Sequence, residues 1–120
     1  MAEERRAALV VLTRDDEARE TLTAELDRRY GRDYVVVACA GPGELAERPA
    51  VPVAALFGGL GEADPDGLEV LRALHREHAG ALAVAVVRWG AFDTARPIFE
   101  AVTLGQLDRW LYVPEVVGDA

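Results

Sequence analysis

The 120-residue chain contains no lysine, serine or asparagine and only one cysteine, and each shortage removes a class of chemistry. Without lysine there is no side-chain amine for a Schiff base and no lysine ammonium to neutralise charge in group transfer; without serine there is no seryl nucleophile. Cys39 alone can close no internal disulfide and form no disulfide-exchange pair, which fits a reducing compartment, and the cytoplasm is the expected location. The cationic side is thin as well: 13 arginines face 21 acidic residues, for a formal net charge of −8. That surplus opposes the phosphates of nucleic acid, so direct nucleic-acid binding is not expected. No apolar run approaches the roughly 18 residues of a bilayer span, and the opening MAEERRAALVV mixes acids with its arginines; neither membrane insertion nor export is expected.

What remains is an apolar-rich chain, 51% hydrophobic, sized for one core and one domain over residues 1–120. Short apolar, β-branched runs recur at residues 7–13, 34–38, 53–57, 81–87 and 110–113, and we read them as five strands. They are nearly continuous rather than alternating, as strands covered on both faces are, and helical patterns separate them. The expected fold is therefore α/β, a doubly wound parallel sheet. A first helix can be capped by Asp15 or Asp16, with Ala18, Leu22, Leu26 and Tyr30 on one face before Gly31 stops it. A second, short helix follows Gly43 and is over by residues 48–49. The third runs from about Gly67 to Gly80, with Leu68, Leu71, Leu74 and His75 on one face. The fourth spans residues 93–102 with Pro97 in its first turn, and residues 115–120 leave no room for a fifth, which we expect to be missing or truncated. The loop 58–67, GGLGEADPDG, follows the third strand, where doubly wound sheets place their ligand crevice.

Three strings, TRDDEARETLTAELDRRYG, VPVAALFGGLGEADPDGLEVL and LDRWLYVP, resemble those of response-regulator receivers. The resemblance is greatest to receiver-like modules joined to thioredoxin-reductase-type flavin oxidoreductases in actinobacteria. It implies a flavodoxin-like sheet of order 2-1-3-4-5. It also implies two acids after the first strand, a phosphoacceptor aspartate after the third, a Ser or Thr after the fourth, and a Lys before a Pro after the fifth. Asp15 and Asp16 match the acid pair. Counting along the strings puts the phosphoacceptor position on Gly59, the hydroxyl position on Arg88 and the lysine position on Val113, just before Pro114. Phosphoryl transfer needs a positioned acceptor oxygen and cations to neutralise shifting charge, and none of these replacements supplies them. The resemblance then implies a degenerate receiver, non-catalytic and without a cofactor. Such a module acts in signalling through a protein partner or fused effector domain, a flavin oxidoreductase among the candidates, although this chain has no flavin or redox motif of its own.

Other readings stay open beside this one. Arg88 could clamp Asp15 and Asp16 by charge-assisted hydrogen bonds and lock the remnant acidic pocket; alternatively the aspartates only cap the first helix and Arg88 faces water. The glycines at 58 and 59 leave space for a small molecule or anion near Arg88, the basis for a ligand-binding protein or small enzyme using the Asp15, Asp16, Gly59 and Arg88 crevice. An atypical acceptor, Asp64 or Asp66, is a further alternative, but both lie well along the loop and lack a lysine partner. Mg²⁺ at Asp15 and Asp16 would compete with arginine, and no metal site is expected. Gly41-Pro42-Gly43-Glu44-Leu45-Ala46 fits a dinucleotide fingerprint in letters only, because Pro42 stiffens the turn and Glu44 would face the pyrophosphate. His75 and His78, with Glu77, read as a helix face rather than a metal pair, and Cys39 as a small buried apolar residue. Finally, Trp89, Phe92, Trp110 and Tyr112 gather in the fourth and fifth strand region. With the fifth helix absent they form a candidate interface for a partner or a homodimer.

Overall fold

The computed structural model describes residues 6–47, 51–61, 63–87, 100, 104 and 108–112, with residues 110–112 described by their backbone alone. The first strand, β1 (Ala8–Leu12), is buried at every position, which an apolar ALVVL run satisfies only when both faces of the strand are covered. It lies inside a five-stranded sheet with β2 (Val35–Cys39), β3 (Val53–Gly59), β4 (Leu82–Val87) and β5 (Arg109–Tyr112), in the order β2-β1-β3-β4-β5. Every pairing is parallel, so the doubly wound arrangement and the strand order expected from the sequence are both found. Between β1 and β3 the register slips once, from Ala8 opposite Val53 to Leu9 opposite Ala55, so that Ala54 is an extra residue in β3.

The two-residue period of a strand sorts β1 between two cores. Ala8, Val10 and Leu12 join Leu56, Leu71, Leu74, Ala83, Ala85 and Val87 on one side; Leu9 and Val11 join Leu22, Leu26, Ala55 and Val86 on the other. The first side is covered by α3 (Gly67–Glu77) and, less fully, by α2 (Pro42–Ala46), and the second by α1 (Asp16–Tyr30).

Helix α1 starts where Asp15, in extended conformation, accepts a hydrogen bond from the Ala18 backbone N–H. Asp16 and Glu17 in its first turn and Arg28 and Arg29 in its last complement the helix dipole. Ala18, Leu22 and Leu26 are buried as the spacing predicts, but Tyr30 is 45% exposed. The turn that follows gives Tyr30 an edge-on partner in Tyr34, with ring centroids 6.4 Å apart, in place of a position in the core. Helix α2 begins one residue before Gly43, with Pro42 in the first turn, and lasts five residues. Helix α3 ends at Glu77 rather than running to Gly80, because His78 leaves helical geometry (φ −122°, ψ 64°).

The expected fourth helix falls outside the described residues apart from Glu100, whose carbonyl accepts the Leu104 N–H at 3.0 Å. Residues 113–120, including the region of the expected missing fifth helix, also lie outside them. Among the described residues no helix is long and apolar enough to cross a membrane.

Leu71 is 1% exposed whereas Leu82, at the start of β4, is 47% exposed. Leu71→Ala should therefore cost about 2–5 kcal/mol in urea unfolding and Leu82→Ala about 0.5 kcal/mol or less.

Candidate functional site

At the carboxyl ends of β1 and β3 the chain turns from apolar to polar, and the two turns meet. Thr13 and Asp64 are the two buried polar side chains among the described residues, 6% and 8% exposed. Asp64 Oδ2 accepts a hydrogen bond from the Thr13 hydroxyl, and Asp64 Oδ1 accepts one from the Arg14 backbone N–H at 2.8 Å. Thr13 Oγ1 in turn accepts the Asp15 N–H at 3.1 Å, so a single hydroxyl links the loop carboxyl to the start of α1. Arg19 reinforces the corner by donating to the Thr13 carbonyl at 2.7 Å.

The loop after β3 doubles back to reach this position. Asp64 N–H donates to the Gly61 carbonyl at 3.1 Å, and Gly67 N–H donates to the Asp64 carbonyl at 3.0 Å. Gly61 takes a φ of +136°, which a side chain would strain. A Cβ on Gly67 would collide with the Gly59 carbonyl oxygen, so α3 can start directly against the end of β3 only with glycine there.

Gly59 is the last residue of β3, and the space its side chain would take is already occupied. A Cβ at this position would come within 2.5 Å of Thr13 Oγ1 and 2.6 Å of Asp64 Oδ2. Beside it, a Cβ on Gly58 would press on Leu71 at 3.0 Å. The cavity left among Leu12, Arg14, Gly41, Gly58, Asp64 and Asp66 measures about 10 Å³, at the lower limit for one water. Among the described residues the space beside the two glycines is thus filled from within the chain, by Thr13, Asp64 and Leu71, while the Arg88 side of the expected crevice lies outside them.

The expected acid pair divides. Asp15 is half-buried and caps α1, while Asp16 is exposed and pairs with Arg19 at 2.5 Å. Arg14 turns its guanidinium to Asp66 at 3.0 Å on the surface. That hydrogen bond, with a smaller contribution from Asp66's own backbone N–H, holds the Asp66 carboxyl below the usual carboxylate range. Arg88, Val113, Trp89 and Phe92 lie outside the described residues, and Trp110 and Tyr112 stand in β5 at the register positions of Ala85 and Val87.

Elsewhere, His75 Nε2 lies 3.5 Å from Asp108 Oδ2, which also accepts the Ala83 N–H at 2.8 Å and so ties α3 to the start of β4. His78 borders a cleft of about 320 Å³ with Leu45, Val51, Leu74 and Glu77. Among the described residues no group of three or more His, Cys, Asp or Glu could hold a metal ion. Cys39 is fully buried, and Gly41 precedes α2 with no side-chain cap.

The Thr13–Asp64 contact is not legible from spacing, because the loop's reversal brings a residue well along it back to the strand end. The DPDG string and the preceding glycines carried the necessary turn chemistry, and Thr13 was the one hydroxyl at the end of β1.

This arrangement of strands, helices and carboxyl-end loops is a receiver-like fold, and solved structures agree. The chain is similar to an adenylate cyclase from Rhodopirellula baltica at 21% identity, over 95% of this chain and 81% of that one, with a TM-score of 0.69. It is similar to the signal receiver domain of an HD domain-containing protein from Pseudomonas fluorescens Pf-5 at 16% identity, over 90% and 76%, with a TM-score of 0.62. The DrrB receiver domain in its BeF3-activated form matches at 14% identity, over 91% and 86%, with a TM-score of 0.64. At these identities the likeness is one of fold, and the cyclase activity named for the first protein stays with that protein. No protein-family model and no curated protein matches the sequence.

Asp15 and Asp16 are adjacent but hold different positions, one a cap and the other an exposed ion pair. In thermal or urea unfolding, Asp15→Ala should lose about 1 kcal/mol and Asp16→Ala about 0.5 kcal/mol or less.

Proposed function

We propose that this chain is a receiver-like signalling module that takes no phosphoryl group and acts by binding another protein. The observation that carries this reading is at Gly59: the residue matching a receiver's phosphoacceptor has no side chain, and Asp64 with Thr13 fills its place. A substitute acceptor would need an oxygen open to an incoming phosphoryl group. Asp64 is 8% exposed and commits one oxygen to the Thr13 hydroxyl and the other to the Arg14 N–H. On the described side of that crevice the cavity beside Asp64 is about 10 Å³, room for no more than a water. Pseudo-receivers of this kind act through contact, and the fourth-helix and fifth-strand face, with Trp89, Phe92, Trp110 and Tyr112, is the surface we assign to it. The partner is a fused effector or separate protein, a flavin oxidoreductase being the class the sequence resemblance implies, or a second copy of the chain.

Incubation with acetyl phosphate and Mg²⁺ should leave the intact mass unchanged. A phosphoryl adduct on Asp64 or Asp66 would overturn the non-phosphorylated reading and restore the atypical receiver in its place.

The interface is checked separately by oligomeric mass over a range of concentrations. If a second copy is the partner, the wild type is a dimer that Trp110→Glu with Tyr112→Arg converts to a folded monomer. A dimer unaffected by the double change would move the interface away from β5.

A further inference from the structure

Beyond that reading, we infer that the Thr13 hydroxyl and the Arg14 backbone N–H form a carboxylate-binding site that this chain fills in cis with Asp64. The two donors converge on one carboxyl group, each on a different oxygen, from consecutive residues at the end of β1. The Asp15 N–H completes the site from behind by donating to Thr13 Oγ1, leaving the hydroxyl proton for Asp64. The occupant arrives from 51 residues away in sequence, so its presence there is tertiary and not a local turn. It is also sterically defined, since Gly59 supplies the floor and any Cβ at that position would expel it.

The site therefore behaves as a receptor with a tethered ligand. Tethering replaces a bimolecular association by an internal one, so occupancy needs no outside metabolite and no phosphoryl donor. It also fixes the start of α3, because the Asp64 carbonyl accepts the Gly67 N–H at 3.0 Å. This inference does not depend on which partner the domain binds; it shares with the non-phosphorylated reading the placement of Asp64 against Thr13 and Arg14, and the intact mass after acetyl phosphate tests that reading separately.

Two adjacent amides provide the readout. The Arg14 N–H donates to Asp64, whereas the Thr13 N–H donates to the Cys39 carbonyl at 3.1 Å and belongs to the sheet. In residue-resolved hydrogen exchange on the wild-type chain, both amides should be protected. In Asp64→Ala the Arg14 amide should exchange about tenfold faster or more, as expected for loss of a hydrogen bond to a charged group, while the Thr13 amide keeps its protection. Sodium formate, a carboxylate small enough for the vacated space, should restore Arg14 protection in Asp64→Ala where sodium chloride of equal ionic strength does not. In Thr13→Val with Asp64→Ala, formate should restore nothing.

An unprotected Arg14 amide in the wild type, an unchanged one in Asp64→Ala, or equal effects of formate and chloride would each overturn the inference. If Asp64→Ala loses protection throughout, Thr13→Val and Thr13→Ser decide instead. Faster Arg14 exchange in the valine variant with recovery in the serine variant supports the site, and equal exchange in the two overturns it.

Discussion

Covering both faces of β1 is the constraint from which the other features follow. A strand buried at all five positions tolerates no polar side chain along its length, so every group capable of chemistry is displaced to the strand ends. At the carboxyl end of β1 the sequence changes within one residue, from Leu12 to Thr13, and the polar turn that results is fixed in place by the sheet beneath it. The same holds for β3, which ends in two glycines against α3. The site is where two such ends meet.

Burying a carboxyl group at that meeting point is costly unless its oxygens find donors, and here the donors come from the neighbouring strand end. Loop, first helix and sheet are thereby joined at a single residue. In receivers the corresponding space is associated with an acceptor side chain projecting from the third strand. In this chain the strand contributes only backbone, and a carboxyl group reaches the space from the loop. That carboxyl group is held on both oxygens and packed under its own loop.

Much of the fold was legible in the sequence because its determinants are local and periodic. Continuous apolar runs gave the strands, the spacing of Ala18, Leu22 and Leu26 gave the buried face of α1, and the Asp15-Asp16 pair offered its cap, which the structure assigns to Asp15. The strand order followed from the resemblance and is matched in the structure. Tyr30 escaped because a periodic stripe does not say where the sheet beneath it ends. Counting along the strings put the phosphoacceptor position on Gly59 in the loop after a strand expected over 53–57; the structure instead carries β3 through Gly59, and the carboxyl group above it was not legible. That contact depends on a loop reversing direction through Gly61 and Gly67, which is a property of turn geometry and not of any residue spacing. The pairing of Asp16 with Arg19 instead of a shared pocket has a similar origin, since a residue one step past the cap already belongs to the helix surface.

The sole cysteine gives this chain a built-in reporter. Cys39 ends the edge strand β2, has no exposed surface, and its carbonyl accepts the N–H of Thr13 across the boundary with β1. A thiol reagent can reach it only when the packing around the end of β2, strand or covering helix, opens. The rate of its modification therefore measures how often that end of the sheet opens, with no competing thiol in the chain to confuse the signal.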